Sequence, residues 1–115
     1  MHELSLVQSI LEIAQDYARR EGAVAIQTVT LRVGALSGVE PEALEFAFET
    51  ARVGTLAEGA RLEVEWVPLA AYCEGCSKKF AVDNPFGIAL CPDCGQVSAE
   101  ICQGEELQVA YLDVI

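Results

Sequence analysis

Four cysteines in two pairs constrain this chain more than any other feature. Cys73 and Cys76 stand two residues apart, fourteen residues follow, and Cys91 and Cys94 repeat the spacing. A two-residue gap lets both sulfurs of a turn converge on one ion, while following backbone N–H groups can donate to the thiolates. Pro92 stiffens the second turn, and Gly95 permits positive φ just after it. Two such turns predict a closed tetrahedral S4 site, with Zn–S bonds of about 2.3 Å. A saturated shell leaves no position for catalytic water, so the site reads as structural.

Iron accepts the same four sulfurs, and the C-P-x-C-G turn at Cys91–Gly95 is shared with rubredoxin-like electron carriers. Against iron, the cysteines occupy only a short stretch of a larger chain, with Tyr72, Phe80 and Phe86 as its few aromatics. Zinc is the better reading. Cys102 lies eight residues past Cys94, outside the turn geometry, and reads as a buried or spare thiol. Five cysteines without a secretion signal do not make a disulfide framework.

The 115 residues suit one compact domain with a small appendage, and 52% hydrophobic content argues against disorder. Eighteen acidic residues against seven basic give a net charge of -11. Such a chain repels phosphate, so nucleic acid and anionic membrane surfaces are poor partners, while cations and basic proteins are good ones. No apolar run approaches the roughly 20 residues of a membrane span, and Met1-His2-Glu3 lacks a basic leader. A cytoplasmic protein is the expectation.

Hydrophobic periodicity supplies the layout. Leu4, Val7, Ile10, Leu11, Ala14, Tyr17 and Ala18 recur at helical spacing, and Gly22 offers a stop. From Ile26 to Val33, Val29, Leu31 and Val33 alternate with Thr28, Thr30 and Arg32, as in a half-buried strand. Pro41 suits the first turn of a second helix whose buried stripe is Leu44, Ala47, Phe48 and Ala51. Arg61 to Val67 alternates again, with Leu62, Val64 and Trp66 inward, and Glu106 to Ile115 returns to alternation. The predicted class is α+β: a small three-stranded sheet covered by two helices, with an inserted zinc-ribbon-like domain. Its parts are residues 1–69, the metal domain 70–103, and a final strand, 104–115, returning to the first part.

Chemistry-bearing motifs are otherwise scarce. There is no phosphate-binding glycine loop, dinucleotide fingerprint or nucleophile elbow, and His2 is the single histidine. An enzyme is not expected. Glu40, Glu42, Glu45 and Glu49, on or beside the second helix, read as a solvated face. His2 has its own chemistry. The Met1 amine, the His2 backbone nitrogen and the imidazole can chelate one metal in fused rings, and the Glu3 amide or carboxylate completes four in-plane donors. That set suits Ni(II) or Cu(II) and disfavours zinc. Its amides must lose protons, so binding should strengthen with pH. On residues alone, however, a histidine in second place reads as incidental, with metal binding the minority reading.

A resemblance changes that reading. The opening Met1-His2-Glu3-Leu4-Ser5-Leu6 resembles the HypA/HybF family of hydrogenase nickel-incorporation proteins, as does Leu31-Arg32-Val33-Gly34-Ala35-Leu36-Ser37-Gly38-Val39-Glu40-Pro41. So do Leu44-Glu45-Phe46-Ala47-Phe48-Glu49, Ala57-Glu58-Gly59-Ala60-Arg61-Leu62, the paired cysteine turns and Gly104-Glu105-Glu106-Leu107-Gln108-Val109. The likeness runs in order over nearly the whole chain. It implies a nickel metallochaperone, with residues 1–69 and 104–115 as the nickel-binding part. It carries nickel to Met1, His2 and Glu3, with Glu40 a weaker candidate, and structural zinc to Cys73, Cys76, Cys91 and Cys94. It implies as partners a maturation GTPase (HypB-like) and the [NiFe]-hydrogenase large subunit, with urease as a further client. Exposed strand edges could pair two chains into a homodimer. Two rival readings stand beside it: a zinc-ribbon adaptor that binds only protein, and a rubredoxin-like iron carrier.

Overall fold

The computed structural model describes residues 3–84 and 86–115. Helix α1 spans Glu3–Arg20, with Glu3 in its first turn and Arg19 and Arg20 in its last, each complementing the helix dipole. Gly22, at φ 73°, ends it. The Gly22 N–H donates to Arg19 O and the Ala23 N–H to Ala18 O, the paired bonds of a Schellman cap. Val7, Ile10, Leu11, Ala14 and Ala18 are buried. Leu4 and Tyr17, expected on the same stripe, lie at its margins and are exposed, so the covered face is narrower than the apolar one.

Strand β1 (Ile26–Gly34) buries Val29, Leu31 and Val33, as its alternation predicts, but Thr28, expected on the outer face, is buried as well. Helix α2 (Pro41–Ala51) carries Pro at its start and buries Leu44, Ala47 and Phe48. The two helices pack on each other. Strand β2 (Arg61–Val67) and the last strand, β6 (Leu107–Val114), flank β1 in the order β2-β1-β6. Ala25 and Ile115 exchange both backbone hydrogen bonds, the signature of an antiparallel pair, where β1 and β6 meet. Arg32, on the middle strand, bonds Glu65 of β2 at 3.0 Å and the Tyr111 hydroxyl of β6 at 3.3 Å. One guanidinium therefore ties all three strands. Trp66, expected inward, is exposed, and Leu62 and Val64 are only half-buried. The cause is position: an edge strand has a neighbour on one side only.

The second sheet has the order β4-β3-β5, from β3 (Ala70–Cys73), β4 (Lys78–Ala81) and β5 (Ile101–Gln103). Strand β3 runs antiparallel to both neighbours, with an irregularity between Ala70 and Ala71 on the β5 side. Its core is small: Ala71, Cys73, Phe80, Ala89 and Cys91, with Cys76, Val82 and Ile101 partly covered. Two compact units result. One holds both helices and most of β1, β2 and β6; the other is Trp66–Leu107 with Val33–Gly38. In the second, Ala35 donates to Val67 O, Leu36 to Gly104 O, and Gly34 to Glu106 O. Gly34 and Gly104 pass so closely that a Cβ on Gly34 would fall 2.2 Å from the Gly104 carbonyl.

Candidate metal centre

The cysteine turns are built differently and meet at one point. The first closes between β3 and β4, where Cys73 pairs with Lys78 across the turn. The Ser77 N–H donates to Glu74 O at 3.3 Å, and Ser77 takes φ 53°, a left-handed conformation unusual for a residue with a Cβ. The second turn closes through Gly95, whose N–H donates to Cys91 O at 2.9 Å and whose φ is 74°. Gly95 thus takes the conformation its sequence position implies, while Ser77 gives no such signal.

All four sulfurs lie within 4.8 Å of one another. Cys73 Sγ stands 3.6 Å from Cys94 Sγ, and Cys91 Sγ 3.9 Å from Cys76 Sγ. A tetrahedron of sulfurs at zinc bond lengths has edges of about 3.8 Å. A disulfide needs about 2.0 Å, and all five cysteines are free thiols. Cys73 and Cys91 are buried, Cys76 is partly covered and Cys94 is exposed. The residues fit a tetrahedral ion closely.

Electrostatics gives the same answer. The Cys94 backbone N–H holds the Cys91 thiol below its ordinary range. Cys76 is pushed up to about 12, chiefly by the sulfurs of Cys94 and Cys91 and by desolvation. At Cys94 the Gln96 backbone N–H pulls downward, but Cys73, desolvation and Cys91 raise it overall. Four sulfurs this close cannot all be thiolates unless a cation sits among them. Lys78 also forms an ion pair with Asp93, one residue from each turn, which the sequence reading overlooked. Its only signal is opposite charge two places after Cys76 and one place before Cys94. Cys102 is exposed and outside the cluster.

Of the residues singled out at the N-terminus, Met1 and His2 lie outside the described residues. Glu3 and Glu40, 37 positions apart, do meet. The Glu40 N–H donates to Glu3 Oε2 at 3.2 Å, and this bond, followed by the Glu3 N–H, holds the carboxylate below its ordinary pKa. Glu40 is the N-cap of α2 and makes no side-chain cap bond of its own. The carboxylate of one helix therefore caps the other, where negative charge is favoured.

Fold and cluster define the class: a small α+β protein with a four-cysteine metal ribbon. The family described as "Hydrogenase/urease nickel incorporation, metallochaperone, hypA" matches residues 1–114. The hydrogenase maturation factor HypA of Acidithiobacillus ferrooxidans is 44% identical over 114 residues, covering 99% of both chains. That of Rhizobium leguminosarum bv. viciae is 41% identical over 115 residues and the full length of both. The solution structure of the Ni metallochaperone HypA from Helicobacter pylori superposes with a TM-score of 0.70 at 28% identity, covering 100% of this chain and 98% of that one. The chain belongs to the HypA family of hydrogenase maturation factors. By family it is a metallochaperone and not an enzyme, acting with the hydrogenase maturation machinery. Among the described residues, no helix is long and apolar enough to cross a membrane.

Proposed function

We propose that this chain carries Ni(II) as cargo on its N-terminal residues and delivers it to the [NiFe]-hydrogenase large subunit, together with a maturation GTPase. The observation that carries the reading is full-length membership of a nickel-incorporation family in a chain that opens Met1-His2-Glu3. The donors are the Met1 amine, the His2 backbone and imidazole nitrogens, and Glu3. The cap described above refines the choice at Glu3. Its carboxylate accepts the Glu40 N–H and also the Glu3 N–H, and that Glu3 nitrogen, in the first turn, has no partner in the helix's own backbone ladder. The Glu3 backbone nitrogen is therefore the favoured fourth donor, and Glu40 acts by holding the Glu3 side chain aside.

Planar amide and imidazole nitrogens select nickel over zinc, and the four thiolates select zinc over nickel. Cys73, Cys76, Cys91 and Cys94 would hold zinc, which would supply a fixed tetrahedral crosslink and no reactive position. Nickel leaves when the amine or amides regain protons, so delivery needs only the first residues to peel away. The urease named in the family description is a second client of the same chemistry.

Nickel titration of untagged, zinc-loaded chain tests this by calorimetry and absorption. One nickel per chain is expected, lost in His2→Ala with zinc retained, and kept in Glu3→Gln, whose backbone nitrogen is intact. No nickel bound by the native chain removes the carrier reading. Loss in Glu3→Gln moves the fourth donor to the carboxylate.

A further inference from the structure

The arm that delivers Cys91 to the cluster has a second face. Along residues 86–91 the exposure alternates. Ala89 and Cys91 are buried, whereas Phe86, Ile88 and Leu90 are 82%, 51% and 53% exposed. Leu90 pairs antiparallel with Val97, itself 70% exposed, so the two side chains stand together. Single exposed apolar residues need no explanation, but four large ones between positions 86 and 97, two of them paired, mark a contact surface.

The arm is built to present them. Asn84 Oδ1 accepts the N–H groups of Phe86 at 3.1 Å and Ile88 at 3.0 Å, and its Nδ2 donates to Ile88 O at 2.6 Å. Ser98 N–H donates to Ala89 O, and Cys91 N–H to Gln96 O. Gly87, at φ 67°, turns the chain in a conformation that suits no other residue well.

Charge indicates what covers the ridge. Trp66–Leu107 contains six acidic residues and two basic ones. Lys78 is paired with Asp93, and Lys79 donates to Gln103 Oε1. Four thiolates around a divalent ion add further negative charge. Asp83 precedes the arm in the chain, Glu74 and Glu100 line the cavity that also borders Val97, and a second copy would set this like charge against like.

We infer that the ridge of Phe86, Ile88, Leu90 and Val97 docks a cationic segment of a partner protein, one with large apolar side chains set between Lys or Arg residues. The apolar groups bury against the ridge, and the cations meet its acidic surround. This surface uses none of the N-terminal donor residues and does not depend on the nickel reading.

The experiment uses isotope-labelled, zinc-loaded full chain. The probes are a short synthetic peptide alternating Lys with Phe and Leu, and its counterpart with Glu for Lys. The expected result is amide shift changes confined to residues 84–98 with the Lys peptide and none with the Glu peptide. Affinity should fall at least about tenfold in the F86S/L90S double variant, the loss expected when a large apolar contact is removed. Val97→Ser, on the facing strand, should weaken binding independently, and the E42Q/E45Q variant should leave it unchanged. Shifts centred on α2, or full affinity in the ridge variants, overturn the inference. So does a dimer in sedimentation that dissolves on mutating the ridge, since a second copy would then be the occupant.

Discussion

The two units are held by different means. The helical one buries Val7, Val29, Leu31 and Leu44 almost completely. The ribbon has strands of four, four and three residues and a core made mostly of alanine and cysteine. Isolated strands that short do not hold together in water. One region folds by burying apolar area, while the other has too little of it and would depend on an ion shared by its four sulfurs. Removing metal and removing core volume should therefore damage different halves.

The strongest test of that contrast is Cys91→Ser, or chelation of the native chain. Structural zinc sites in small domains supply apparent binding energies of order 10 kcal/mol, much of it folding energy. The expected outcome is loss of dispersed amide signals from β3, β4 and β5, with those of α1 and α2 retained. Collapse of both sets together would show one cooperative unit. The converse is Leu31→Ala, which should cost about 2–5 kcal/mol in denaturant unfolding while the chain still binds zinc. Gly104→Ala comes next. At φ 111° its Cβ would lie 2.7 Å from Leu69 Cα, so a loss of about 1–3 kcal/mol is expected, without loss of metal.

A smaller effect of opposite sign is expected at Ser77. Its left-handed backbone should be relieved in Ser77→Gly, raising stability by up to about 1 kcal/mol and slowing zinc release to a chelator. Smallest is the Glu3–Glu40 cap. The Glu3 carboxyl is depressed in the folded chain, so its contribution is complete above the unfolded carboxyl pKa and fades as pH falls through the folded one. The Glu40 amide resonance should follow that titration in wild type and stay still in Glu3→Gln.

The helical unit is the more legible in sequence because its elements are long enough for periodicity to register. Alternation from Ile26 to Val33 identifies β1, and the stripe from Val7 to Ala18 identifies α1. Trp66 misleads because its apolar character says nothing about being on an edge. In the ribbon, cysteine spacing identifies the site, but strands as short as Ile101–Gln103 carry no period. The cap between Glu3 and Glu40 is unreadable for another reason: 37 positions separate the partners, and neither forms a local motif. The ridge is half-readable. Phe86, Ile88 and Leu90 alternate with smaller residues, yet alternation alone does not say which face meets water.

The bonds around Gly34–Leu36 have a kinetic consequence. Val67 and Gly104, at the two ends of the ribbon's excursion, both accept hydrogen bonds from this short segment. The excursion is thus a loop tethered at both ends to one short segment. Closing a loop costs entropy that grows only slowly with length, and here most of that cost is met before any ion arrives. Metal capture by the ribbon would then be a local closure of a loop already tethered at its ends.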